Sequence, residues 1–326
     1  MLLIIFCYNK KENRIGKNMK KIISILLIIL SLAFFGCEKE ENYNRIKVIL
    51  PSGTPLVAVG GLLLDENYEF EVVGGADLLT AALAKDEYDV VIAPITAATK
   101  LHLLGKSAYK FASVITTGNN YLVSKNGSTA LSDVAGRKIL AYGQNNTPDI
   151  VLKAVLEAND LEATIEYQVA VSDIVPFIVQ NTGDYDYYLT AEPTLTQLKL
   201  KYGQELTVID LQESLKEEID VIPQAGIFVL EKEDNKKEIA RFLELVEKNI
   251  EYLNENSEKY YQKVEGTNEF FTKLGEGVLE ASIKTSNIKY LSAKENKESI
   301  RKYCEILNKY NEKLLKGNTP GEEFYY

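Results

Sequence analysis

From Arg45 onward, short apolar runs alternate with amphipathic stretches of helical period, the pattern of βα units wound about a largely parallel sheet. IKVIL (46–50), FEVV (70–73) and YDVVIA (88–93) predict strands, each followed by a helix: about Pro55 to Leu64, 76–84 and 95–104. YKFASVIT (109–116) and NYLVS (120–124) are both extended, separated by the turn-forming Thr117-Gly118-Asn119. KILAY (138–142) opens a second series, with helices at 148–158, 172–180 and 193–201 between the strands TIEYQVA (164–170), YDYYLT (185–190) and LTVID (206–210). GIFVL (226–230) is the last strand the pattern predicts. Beyond Glu231 the chain turns helical and charged, through EIARFLELVEKNIEYLNEN, a segment around 268–284 and ENKESIRKYCEILNKYNEKLLK. Apolar residues there recur three and four apart, so each helix should pack with one face and meet water with the other. The tail GNTPGEEFYY (317–326) is expected to be loose.

Ahead of this region, Lys20 and Lys21 precede an apolar run from Ile22 to Phe35, and Gly36 stands before Cys37. A charged start, an apolar middle and a small residue at the cut form an export signal. The run is short for a membrane span, which needs about 20 apolar residues. With the cysteine directly after the cut it resembles a bacterial lipoprotein signal. That resemblance implies cleavage before Cys37 and a lipid on its thiol. Translation is expected from Met19, with 1–36 removed and 37–44 (ending EKEENYN) a polar tether.

Removing the signal changes the charge balance. The chain carries −10, but residues 1–36 hold six Lys or Arg and one acid, which leaves −15 on the exported part. Such a surface repels phosphate backbones and speaks against a nucleic-acid partner. Only Cys304 remains in the folded part, so no intrachain disulfide forms there, and it reads as a structural thiol. The one histidine, His102, falls on a helix and reads as a surface or packing residue. No metal site or cofactor is expected, since zinc draws on several His or Cys ligands.

Candidate chemistry sits where strands pass into helices. The first strand ends in Pro51-Ser52-Gly53-Thr54-Pro55, with Thr54 read as helix N-cap and Pro55 as first helical residue. The device returns in Gly143-Gln144-Asn145-Asn146-Thr147-Pro148, and a third junction reads Thr190-Ala191-Glu192-Pro193. Such loops lie at the carboxyl ends of strands, where open α/β sheets bind ligands. A Thr-Pro pair is also a common helix start; its repetition, once in each half, suggests two lobes with facing edges.

Here the chain resembles the type II periplasmic solute-binding proteins of ABC importers, near the cluster that handles nitrate, sulfonates, taurine and thiamine-type pyrimidine precursors. The likeness spans about 45–265. It rests on the Pro51–Pro55 junction, on FEVVGGADLLTAALAKDEYDVVIAPITAA, on LSDVAGRKI (131–139) as entry to a second lobe, and on DYDYYLTAEPTLTQL. Asp186-Tyr187 stands where the family has Asp-Ala, and the expected ligand loops lack Arg and Lys. The resemblance implies a monomeric α/β flytrap, each lobe a mainly parallel sheet flanked by helices, with extra C-terminal helices. Lobe one would be 45–117 plus 226–326 and lobe two 118–225, hinged near Thr117–Asn120 and Gln224–Gly226. It would be a binding protein, not an enzyme, docking its closed form on a membrane permease. A tethered sensor or adhesion module could reuse the same lobes.

Ligand contacts implied within that frame are Ser52, Gly53, Thr54, Gly75 and Thr96 from lobe one, with Pro94 shaping the wall. Lobe two would add Gln144, Asn145, Asn146, Thr147, Tyr188 and Glu192, and the hinge Asn119, Asn120 and Gln224. Tyr188 either stacks on the ligand or packs in the strand layer. Glu192 either pairs with a ligand amine or complements its helix dipole. These loops suit a neutral or weakly cationic heteroaromatic ligand such as a pyrimidine or vitamin precursor; a sulfonate or small oxyanion held by helix N-termini is the alternative. Pyrimidine-synthesising enzymes of this fold use a reactive Lys, a His and a Cys-rich segment, and no nucleophile–base pair of that kind can be assembled here.

Overall fold

The computed structural model describes residues 45–125, 128–180 and 182–326. The expected export signal, the expected start at Met19 and the expected lipid site at Cys37 lie outside them. Eleven strands are seen among the described residues: β1 (Ile46–Pro51), β2 (Tyr68–Val73), β3 (Val90–Pro94), β4 (Lys110–Thr117), β5 (Tyr121–Ser124), β6 (Lys138–Tyr142), β7 (Thr164–Gln168), β8 (Tyr187–Thr190), β9 (Thr207–Asp210), β10 (Pro223–Val229) and β11 (Ile288–Ser292). They divide into two sheets, ordered β11-β4-β10-β3-β1-β2 and β7-β6-β8-β5-β9.

The sheets repeat one plan. β1 pairs in parallel with β2 and β3, and β6 with β7 and β8. Beside each parallel trio lies one antiparallel strand, β10 or β5, laid down just after the chain crosses from the other sheet. Helices cover both faces, which is why strands such as VVIA in β3 are buried on both sides and read as unbroken apolar runs.

Three apolar clusters hold the molecule. One lies on one face of the first sheet, where Val48, Leu50, Ile92 and Val229 meet the helices Thr54–Val59 and Lys236–Glu255. The latter buries Ile239, Phe242, Leu243, Val246, Ile250 and Leu253 at the spacing its sequence foretold. A smaller cluster joins Val123, Leu140 and Tyr188 of the second sheet to the helices Val171–Gln180 and Thr194–Tyr202. The largest is shared by both sheets: Ile49, Val91 and Phe111 belong to it with Leu122, Ile139 and Leu189. The helix Lys297–Tyr310 adds Ile300, Tyr303, Cys304 and Leu307 to this shared core.

Two expectations need correcting, both at the C-terminus. The region beyond Glu231 is not purely helical, because β11 pairs antiparallel with β4 at the sheet's edge. Edge strands are short and tolerate charges such as Lys289, so the pattern there is weak. The tail is not loose either. Phe324 is fully buried, 5.5 Å from the Phe111 ring and 4.6 Å from His102, and the Tyr326 N–H donates to the Phe111 carbonyl at 2.9 Å. One well-placed aromatic outweighs seven polar or small neighbours, since burying a phenyl ring contributes about 1.5–3 kcal/mol.

Candidate functional site

The first sheet's edge is set by backbone geometry. The Ser52 N–H extends the ladder to the Val73 carbonyl at 3.1 Å, and Gly53 then turns the chain at φ 97°, a region that glycine enters without strain. Gly53, not Thr54, holds the N-cap position, and no side chain caps this helix. The Thr54 hydroxyl points elsewhere. It donates to the Glu192 carbonyl at 3.1 Å and accepts from Asn119 Nδ2 at 3.1 Å, while Asn119 Oδ1 accepts the Glu192 N–H at 2.6 Å. Thr54, Asn119 and Glu192 are at most 5 % exposed. The loops after β1 and β8 therefore meet at the segment joining β4 to β5, and the carboxyl-end edges of the two sheets face one another.

The Glu192 carboxylate is already engaged. Oε2 accepts the Thr196 N–H at 2.9 Å, in the first turn of its own helix, and Oε1 accepts the Thr285 hydroxyl at 2.5 Å. The Thr196 bond is the dipole-complementing role. Around the crossing, Asn120 Nδ2 donates to the Gly118 carbonyl at 3.1 Å. Asn120 Oδ1, Gln212 Oε1 and Thr190 Oγ1 are buried without a protein partner. Gly118 is at φ 58°, and a Cβ there would sit 1.8 Å from Gln212 Oε1, so a side chain at this position would displace Gln212.

The second sheet's edge is organised by an aspartate. Gly143 and Asn145 both adopt positive φ, 67° and 62°. Asp149 pins the loop, accepting the Asn145 N–H at 2.8 Å, Lys153 Nζ at 2.9 Å and the Tyr167 hydroxyl at 2.6 Å. Its side chain is fully buried. Asn146 takes the cap position of the helix Thr147–Ala158 without a side-chain cap bond, and the Thr147 hydroxyl lies 2.7 Å from the Tyr303 hydroxyl instead.

Placement of the remaining expected residues is uneven. Gln144, Asn145 and Asn146 are exposed and Ser52 stands exposed opposite, with Gly53, Gly75 and Pro94 half-buried on the first sheet's edge. Thr96 is buried, and Gln224 is half-buried where β10 bulges against β4. Tyr188 is brought to none of these. It is mid-strand, 5 % exposed, its ring 6.1 Å from Tyr185, and it borders a cavity of about 670 Å³ with Lys125 and Arg137, next to Ser124, where β5 ends. It packs in the strand layer, as strand tyrosines do.

Sequence reasoning missed a polar row along the second sheet's edge. Tyr121 pairs with Thr190 on one side and Asp210 on the other, and Tyr142 pairs with Gln168 one strand beyond. Burial pushes the Asp210 carboxyl up, against the Gln212 and Glu213 N–H groups that hold it down. Burial likewise raises Tyr121, helped by the charges of Asp210 and Glu192, and its hydroxyl donates to the Thr285 carbonyl at 2.6 Å. Each of these strands ends on a polar residue, and that was the available signal. The helices after β6, β7 and β8 also share a feature: Asp149, Asp173 and Glu192 each place a carboxylate at the helix start, Asp173 accepting the Ala170 N–H at 2.9 Å.

No family model and no curated protein sequence matches the chain. Solved structures do. An ABC transporter protein from Parabacteroides distasonis is 23 % identical with a TM-score of 0.73, covering 86 % of this chain and 98 % of its own. The periplasmic aliphatic sulphonate binding protein SsuA from Escherichia coli is 14 % identical with a TM-score of 0.66, covering 85 % and 94 %. The ligand binding component of an ABC-type import system from Staphylococcus aureus is 18 % identical with a TM-score of 0.62, covering 87 % and 97 %. The chain thus has the two-lobed type II fold of the periplasmic solute-binding proteins of ABC importers.

Proposed function

We propose that this is a lipid-anchored extracytoplasmic solute-binding protein that captures a small molecule between its lobes and delivers it to an ABC importer. The observation that carries the reading is the meeting of the two sheets' carboxyl-end edges at Thr54, Asn119 and Glu192. Lobes of 45–117 plus 226–326 and of 118–225 would part about the crossings near 117–120 and 224–226, and ligand would favour the closed state. Ser52, Gly53, Gly75, Pro94 and Thr96 would face Gln144, Asn145 and Asn146 across the ligand. Cys37 would carry the lipid.

The ligand we favour is a neutral or weakly cationic heteroaromatic, such as an aminopyrimidine. Asp173 and Glu192 place carboxylates at two of the second sheet's helix starts, where they oppose an anion, while Asp149 and Lys153 neutralise one another. A sulfonate is the reading that the fold likeness to SsuA favours; it would have to be held against those charges. A thermal-shift panel of 4-amino-2-methylpyrimidine, amines, ethanesulfonate and oxyanions decides between them. Ligand at 100 times its Kd adds about 2.7 kcal/mol, roughly 5 °C here. A shift with ethanesulfonate alone would keep solute binding and discard the ligand class. No shift with any compound, in protein free of co-purified ligand, would discard solute binding.

A further inference from the structure

The helix Lys297–Tyr310 follows β11, and Ala293 at its approach donates its N–H to the Ala112 carbonyl of the first sheet at 3.0 Å. Lys297 pairs with Glu322 of the tail, whose Phe324 packs against the stacked rings of Phe111 and Phe228. Both ends of this segment are therefore fixed on the first sheet. Its body lies on the second. Tyr303, 1 % exposed, shares a hydrogen bond with Thr147; Lys309 pairs with Glu157 at 2.7 Å; and just beyond the helix Asn311 Nδ2 donates to the Asn145 carbonyl at 3.3 Å. Two of these contacts fall on Asn145, in the exposed loop of the second edge, and on Thr147, the buried helix start that follows it.

We infer that Tyr303 and Asn311 are positioning residues for that loop, so that its binding geometry is imposed by a segment anchored on the opposite lobe. The inference rests on the solute-binding reading above and deepens it. Asp149 holds the Asn145 N–H from within the second lobe, but it leaves the Asn145 carbonyl and the Thr147 hydroxyl to be oriented by other partners. The Tyr303 and Asn311 bonds supply those partners. If the second lobe swings away from the first, these bonds must break, so the loop is shaped for ligand only when the lobes are closed. By linkage, a ligand that uses the loop then favours closure by as much as closure favours the ligand.

Amide hydrogen exchange on the full chain tests this without knowing the ligand. In Tyr303→Phe, the amides at 144–147 should exchange about tenfold faster, the cost of an orphaned hydroxyl. The double variant Thr147→Val with Tyr303→Phe removes both hydroxyls. It should regain most of the melting temperature, yet keep the fast loop. Asn311→Ala should speed exchange near Asn145 at an unchanged melting temperature. Affinity for 4-amino-2-methylpyrimidine should fall about tenfold in Tyr303→Phe and stay low in the double variant. Exchange that rises evenly along both helices and recovers in the double variant would make Tyr303 a packing residue only and overturn the inference. A fast loop with unchanged affinity would overturn it too, because the positioned loop would then not be a binding loop. If no compound binds the wild type, the exchange data still decide whether the helix positions the loop, and the binding reading fails separately.

Discussion

Gly53-Thr54-Pro55 and Asn146-Thr147-Pro148 are locally the same device, a strand end turning into a helix through a threonine and a proline, yet their surroundings make them opposites. At the first, a six-residue helix with no acid in its opening turn follows a loop whose threonine is locked in a buried network with Asn119 and with Glu192 beside the other sheet. At the second, a 12-residue helix follows a loop that shows three amide side chains to solvent and is held from behind by Asp149 and Tyr303. The first junction is a buried contact between the two sheets' edges, and the second is a solvent-facing loop. Equal motifs do not imply equal roles; the partners of the threonine hydroxyl decide.

Variants that break each junction should differ accordingly. The largest effect is expected for Phe324→Ala. It opens a cavity among Phe111, Phe228 and His102 and should cost about 3–5 kcal/mol by denaturant unfolding, loosening the second junction's backing helix before the first. Asp149→Ala comes next. It orphans the Tyr167 hydroxyl, Lys153 and the Asn145 N–H together, for about 3 kcal/mol, with fast exchange confined to the second loop. Thr54→Val should cost about 1–2 kcal/mol, since the shape is kept while the Glu192 carbonyl and Asn119 each lose one partner. Its exchange signature should appear at 119–120 and 192, not at 144–147.

The smallest effect concerns pH. Burial raises Asp210 above its unfolded value, so the folded state holds the proton more tightly. Stability from this group is fully present below the unfolded pKa and is lost as pH rises from there through the folded pKa, leaving a penalty at neutral pH. Asp210→Asn should therefore be no less stable than wild type at pH 7 and should flatten the acid side of the stability profile, as read by urea midpoints across pH.

Much of the architecture was legible because both-face burial writes itself as apolar runs such as VVIA and KILAY, with helical periods between them. Boundaries moved by a residue or two, as at the Thr147 helix start. What local pattern could not carry was anything decided by distant partners. Thr147 meets Tyr303 from 156 residues away and Thr54 meets Glu192 from 138 away, so a capping rule that looks three residues ahead assigned both hydroxyls wrongly. β11 and the docked Phe324 failed for the same reason: each is a weak local signal made firm by β4. Asp149 was overlooked because an acid in a first turn is ordinary until Tyr167 and Asn145 are seen converging on it.

Capture between the lobes requires the two strand edges to close on a ligand. Spin labels at Asp77, exposed on the helix after β2, and at Val169, 90 % exposed after β7, report the distance between the outer lips of the two sheets. Adding the compound with the largest thermal shift should convert a broad distance distribution into a single shorter one. A distribution that stays the same at saturating compound would contradict capture between the lobes.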